Sequence, residues 1–227
     1  MVDPLVVASG ISRRFADGAR DKLLVLDDIS CRIDAGDRIA LVGASGSGKT
    51  TLLHLLGGLD SPSTGTIMWP ALGPREALRP GKLAFVFQTP SLFPALTVLQ
   101  NVGLPLVLME SSDDVDAKAA SVLQRLELSE LAQKLPEELS GGQAQRVAMA
   151  RALVTGPRLV LADEPTGQLD SATAQHFIDL TVDFIRNARA ALIIATHDEA
   201  VAERMSLRWE INRGRLSHPA EPQRRRA

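Results

Sequence analysis

The chain has 227 residues, 45% of them hydrophobic and 23% charged, with a formal net charge of -2. That is enough for one large α/β domain, or one domain with an inserted subdomain. The charge gives no overall electrostatic reason to bind nucleic acid or an anionic membrane, and one Cys with four His excludes an intrachain disulfide and the usual structural zinc site.

The N-terminal stretch Met1-Val-Asp-Pro-Leu-Val-Val7 lacks the basic start and long apolar run of a secretory leader. Val6 to Phe15 and Leu23 to Ile33 are strand-like runs separated by the turn-forming Asp17-Gly18. Cys31 falls in the apolar–polar alternation of Ile29 to Ile33, which predicts a half-buried strand residue. Arg38 to Val42 is a compact apolar strand entering a glycine-rich loop; a helix follows with Leu52, Leu53, Leu55 and Leu56 as its apolar face and stops at Gly57-Gly58. Leu83 to Phe87 is another strand, ending at Gln88.

From Ser91 to Leu139 the pattern turns helical. Ala95 to Met109 is the most apolar stretch, but Gln100, Asn101, Gly103 and Pro105 interrupt it, and no segment reaches the roughly 18 apolar residues of a membrane span. Ser112 is the expected N-cap of a helix with Asp113 and Asp114 in its first turn and Val115, Ala119, Val122 and Leu126 on its apolar face. Strand signals resume at Leu159 to Ala162 and Ala191 to Ala195, with a helix between them striped by Phe177, Leu180 and Phe184. The alternation predicts an α/β fold with a mainly parallel sheet, helices on its faces and a helical insertion. Residues 218–227, ending in Arg224-Arg225-Arg226-Ala227, are expected to be a disordered, solvated tail.

Three segments carry chemistry. Gly43, Ala44, Ser45, Gly46, Ser47, Gly48, Lys49 and Thr50 match G-x-x-x-x-G-K-[ST] between a strand and a helix, with Thr51 continuing that helix. The glycines let successive N–H groups turn inward around phosphate oxygens, and the helix adds its positive end. Lys49 would reach the β- and γ-phosphates and Thr50 would hold Mg²⁺ through its hydroxyl. The apolar run to Ala162 ends in Asp163-Glu164-Pro165. Asp163 would hold Mg²⁺ from the other side; Glu164, which Pro165 restricts to an extended backbone, would aim at the attacking water. Leu139-Ser140-Gly141-Gly142-Gln143 combines a serine N-cap with two glycines at a helix start, a second anion-binding device that a chain with one phosphate loop does not need for itself.

That string resembles the signature of the ABC ATPases, and the resemblance runs over roughly residues 5 to 215. It implies a phosphate-loop core with an N-terminal antiparallel β-subdomain (1–90 and 140–217) and an inserted helical subdomain (91–139), one domain over 1–217. Gln88 matches the Q-loop glutamine, Gly167-Gln168-Leu169-Asp170 the D-loop, and Thr196-His197-Asp198 the switch histidine. By resemblance, ATP and Mg²⁺ lie between the phosphate loop of one subunit and Ser140, Gly141, Gly142 and Gln143 of a second, most simply in a homodimer. Gln88 would sense the metal and the attacking water, and His197 would contact the γ-phosphate. Phe15 stands where the family places an adenine-stacking aromatic. Leu92, Phe93 and Pro94 fall where it docks an integral membrane subunit, which implies a peripheral protein on the cytoplasmic membrane face and no nucleic-acid partner.

Thr51 to Asp60 and Phe87 to Thr97 look like the bacterial lipoprotein-releasing and macrolide-efflux ATPases, whose membrane partners have few spans and a large extracytoplasmic domain. The short, proline-rich Met68 to Gly81 and the D-loop Gln168 depart from the usual pattern. A soluble regulatory or nucleic-acid-associated ABC ATPase is the alternative, although such proteins usually carry two cassettes or long coiled coils. A phosphate-loop kinase or GTPase is the third.

Overall fold

The computed structural model describes residues 3–17, 21–111, 114–186 and 188–217. Its strands are β1 (Val6–Asp17), β2 (Asp21–Ile33), β3 (Arg38–Val42), β4 (Thr64–Met68), β5 (Leu83–Val86), β6 (Leu159–Asp163), β7 (Ala191–Thr196), β8 (Leu207–Asn212) and β9 (Arg215–Ser217). The helices are α1 (Lys49–Leu56), α2 (Val98–Leu108), α3 (Val115–Arg125), α4 (Gly141–Leu153), α5 (Ser171–Arg186) and α6 (Glu199–Ala202).

β2, β1 and β4 form an antiparallel sheet in that order. The six-stranded sheet runs β5-β6-β7-β3-β8-β9; all neighbours are parallel except the terminal pair β8 and β9. Whereas β8, Leu207-Arg-Trp-Glu-Ile-Asn212, alternates apolar with exposed polar residues, the parallel strands β5, β6, β7 and β3 carry continuous apolar runs because both faces are covered. Side-chain alternation divides them between two cores: Ala40, Val42, Val160, Ala162, Leu192 and Ile194 join the core with α2, α3, α4 and α5. Ile39, Leu41, Leu159, Leu161, Ile193 and Ala195 join the core under α1 and the antiparallel sheet. All four α1 leucines are fully buried there, each stabilising the fold by about 1.5–3 kcal/mol.

Several local expectations shift. Asp114 caps α3, its side chain accepting from the Ala117 N–H; Ser112 and Asp113, like Gly18 of the expected turn and the 218–227 tail, lie outside the described residues. The apolar face of α3 is Ala119, Val122 and Leu123, continued by Leu126. The buried stripe of α5 is Ala174, Phe177, Ile178, Thr181, Val182 and Ile185, a single face at i, i+3, i+4 spacing with Leu180 and Phe184 at its margin. Cys31 is buried instead of half-buried, and its desolvation pushes the thiol pKa up to about 12.

Asn101, an interruption in the sequence pattern, is a structural anchor. It is fully buried in α2. Its Oδ1 accepts from the Phe93 N–H (2.8 Å) and its Nδ2 donates to the Phe93, Leu96 and Thr97 carbonyls at 3.1, 2.9 and 3.1 Å. One side chain thereby fixes the loop leading into α2, whose first turn is closed by a reciprocal Thr97–Gln100 cap.

Candidate active site

The phosphate-type loop leaves β3, and Gln88 leaves β5 two residues after its end; Asp163 closes β6 and His197 follows β7. Since these strands are parallel, all four segments emerge on the same side of the sheet, where open α/β folds place their ligands.

Within the loop, Gly48 has φ +108° and a Cβ there would lie 2.7 Å from Leu26 Cδ2. Only glycine fits, and it lets the chain turn directly into α1. Lys49 Nζ donates back to the Gly43 carbonyl (2.9 Å) and the Ala44 carbonyl (3.3 Å). The buried Ser47 hydroxyl has no hydrogen-bond partner within the protein. Thr50 Oγ1 donates to Asp163 Oδ2 at 2.7 Å, a hydroxyl and a buried carboxylate on facing elements.

Glu164 lies next to this pair. Its Oε2 is 3.0 Å from His197 Nδ1 and its Oε1 4.0 Å from Lys49 Nζ. The carboxylate is only 12% exposed while the imidazole is 75% exposed. A carboxylate only accepts, so Nδ1 carries the donated hydrogen. Glu164 is not extended as Pro165 suggests: its φ is +48°, a left-handed conformation that costs a non-glycine residue about 1 kcal/mol or more. The reason is local. Its N–H donates to the Ala195 carbonyl (2.9 Å), and its own carbonyl accepts from Gly167 N–H (3.1 Å) and Gln145 Nε2 (2.9 Å). These bonds hold the turn that swings the carboxylate over the loop.

A cavity of about 630 Å³ is lined by Gly43, Ala44, Ser45, Lys49, Gln88, Gln145, Glu164, Gly167, Gln168 and His197. An adjoining cleft adds Gly46, Gly48, Thr50, Thr51 and Asp163. These are dimensions for a small-molecule ligand. The remaining candidates stand apart. Ser140 and Gln143 cap each other at the start of α4, where Ser140 and Gly141 face solvent, and neither Ser140, Gly141, Gly142 nor Gln143 lines either cleft. Phe15, 39% exposed, lies under the Arg13 guanidinium at 4.5 Å and also lines neither cleft.

Gln145 was missed by motif reasoning. Its signal was helical phase: it lies three residues from Gly142 and four from Met149, on the buried face of α4, where an amide must find partners.

A glycine loop after β3 and two acidic residues at the end of β6, parallel strands separated by β7 alone, define a phosphate-loop nucleoside triphosphatase. The family model described as "ABC transporter" matches residues 26–167, and the chain belongs to that family, as one of its ATPases. It is 42% identical over 224 residues to the lipoprotein-releasing system ATP-binding protein LolD of Legionella pneumophila (strain Paris), covering 95% of this chain and 98% of the relative. It is 40% identical over 229 residues to LolD of Hydrogenovibrio crunogenus, covering 97% and 99%. Among solved structures it resembles the dimeric post-hydrolysis state of the ATP-binding cassette MJ0796 bound to ADP and Pi. There the TM-score is 0.85 at 32% identity, covering 94% of this chain and 98% of that one.

Proposed function

We propose that this chain is the ATPase of a lipoprotein-releasing type of membrane complex, working as a homodimer that closes around two MgATP. The observation that carries the reading is the convergence of the Thr50–Asp163 pair and the Glu164–His197 pair on one glycine loop, at 2.7 and 3.0 Å. The likeness to LolD over nearly the full length of both chains supports the branch.

In this reading Gly43 to Thr51 bind the phosphates, and Lys49 exchanges its loop carbonyls for phosphate oxygens. Thr50 and Asp163, a hydroxyl and a buried carboxylate in the cleft beside the glycine loop, fit a nucleotide with its divalent cation. Thr50, Asp163 and Gln88 would hold Mg²⁺, which when bound neutralises charge on the phosphate oxygens. Glu164 accepts a proton from the attacking water, and His197, swung from its carboxylate, contacts the γ-phosphate. Phe15 stacks on the adenine. Ser140 and Gly141 face solvent, Gln143 is half-buried and Gly142 is covered; the four serve the nucleotide of the second subunit. Residues 1–217 act as one domain, in which 91–139 is a helical subdomain that transmits closure.

No helix among the described residues is long and apolar enough to cross a membrane, so the chain reaches the cytoplasmic membrane face through a partner. Leu92, Phe93 and Pro94 are the docking residues: Phe93 is 52% exposed on a loop held rigid by Asn101. The test is a pull-down of tagged protein from detergent-solubilised membranes of its own source with MgATP, alongside Phe93→Asp. The expected result is a membrane protein with few spans and a large extracytoplasmic domain, lost with Phe93→Asp while ATP binding persists. Recovery of a many-spanning permease would move the branch; soluble partners alone would favour the regulatory alternative.

A further inference from the structure

Gln145 is 1% exposed and every hydrogen-bonding group on its amide is used. Nε2 donates to the Glu164 carbonyl at 2.9 Å and to the Gln88 carbonyl at 3.2 Å, while Oε1 accepts from the Gln168 N–H at 3.1 Å. The orientation of the amide is determined by its partners, since a flip would set an oxygen against two carbonyls and an NH₂ against an N–H. A side chain on the helix that opens with Ser140 therefore pins two loops at three points: the loop after β5 at Gln88, and the loop between β6 and α5 at both Glu164 and Gln168. One pinned carbonyl belongs to Glu164, whose positive φ persists only while its surroundings over-determine it. The same loop meets the helix again. The Gln168 carboxamide rests on Gly141, where a Cβ would come 1.7 Å from Gln168 Oε1.

We propose that Gln145 is a positioning residue for hydrolysis, which sets the Glu164 and Gln88 backbones in register and makes that register depend on the position of the signature helix. The proposal rests on the roles given above to Glu164 and Gln88. Gln145 does not touch the reacting atoms. It carries displacement of α4 to the carboxylate through one carbonyl and to the Gln88 loop through another. Movement of the Ser140 end of α4, where a second subunit's nucleotide binds, thereby reaches this chain's own hydrolytic group. Such a coupling acts on turnover and leaves phosphate binding by the Gly43 to Thr50 loop alone, because no hydrogen bond from Gln145 goes to that loop.

The test is Gln145→Met, which keeps the side-chain length and burial but removes the two donors and the strong acceptor. Steady-state ATPase kinetics, binding of a fluorescent ATP analogue to the full chain and the thermal midpoint are measured together, with Glu164→Gln in parallel. The expected result is a kcat lowered at least tenfold with KM and analogue affinity within about threefold of wild type. A lower thermal midpoint with unchanged kcat per folded molecule would make Gln145 a packing residue and overturn the proposal. Should Glu164→Gln hydrolyse ATP at the wild-type rate, the role of Glu164 itself fails. An inactive Glu164→Gln beside a fully active Gln145→Met defeats only the coupling. If Gln145→Met does not fold, amide exchange of the wild-type Gln168 N–H decides. Protection of a hundredfold or more supports the pin, and free exchange refutes it.

Discussion

Replacing Asn101 by Ala removes the buried amide that organises the loop proposed to meet the membrane subunit. Asn101 Nδ2 has two hydrogens for three carbonyls, so one bond is shared, and Oδ1 accepts the Phe93 N–H. Three effective hydrogen bonds at about 0.5–1.5 kcal/mol each, with the Phe93 N–H left to find water, give a loss of roughly 2–4 kcal/mol. In a domain of this size that lowers Tm by roughly 5–15 °C. Calorimetry would read the loss, and amide exchange would show faster opening confined to residues 93–97. Because none of these bonds goes to Gly43 to Thr50, nucleotide affinity should hold while membrane-subunit capture weakens. A loss below about 0.5 kcal/mol, the range of ordinary surface changes, with unaltered exchange at Phe93 would refute the anchoring role.

Burial raises the Cys31 thiol pKa from 9.0 to about 12. Between those values the unfolded chain releases a proton that the folded chain keeps, so stability falls as pH rises, by up to about 1.4 kcal/mol per unit. Urea titrations from pH 8 upward should show that slope in wild type and a shallower one in Cys31→Ala; identical slopes would contradict the burial of the thiol. Gly48→Ala would force a side chain against Leu26 and Val25 at φ +108°. Strain of about 1–3 kcal/mol in the loop should weaken binding of a fluorescent ATP analogue roughly five- to a hundredfold, and an unchanged Kd would show that the loop does not cradle the phosphates.

What was legible in the sequence had either a strict spacing or a strong period. The loop from Gly43 to Thr50 and the strand ending in Asp163 could be placed because glycine, lysine and carboxylate chemistry at fixed offsets have few other uses, and the continuous apolar strands could be placed because a parallel sheet is buried on both faces. Missed features depend on tertiary partners. Glu164 was expected to be extended from Pro165 alone, but bonds from Ala195, Gly167 and Gln145 outweigh that local preference. Asn101 and Gln145 looked like polar breaks in helical patterns, because a buried amide declares itself only when its acceptors, 4 to 57 residues away, are brought beside it. The cap of α3 lay at Asp114 because, among the nearby Ser and Asp residues, cap choice depends on where the first turn begins.

Sedimentation of Glu164→Gln with MgATP, combined with a phosphate-release assay, bears most directly on whether this chain hydrolyses ATP as a nucleotide-sandwich dimer. A species of twice the 24.4 kDa chain mass, holding two ATP and releasing almost no phosphate, is the predicted result. A monomer that binds ATP and hydrolyses it at the wild-type rate would contradict both the dimer and the role of Glu164.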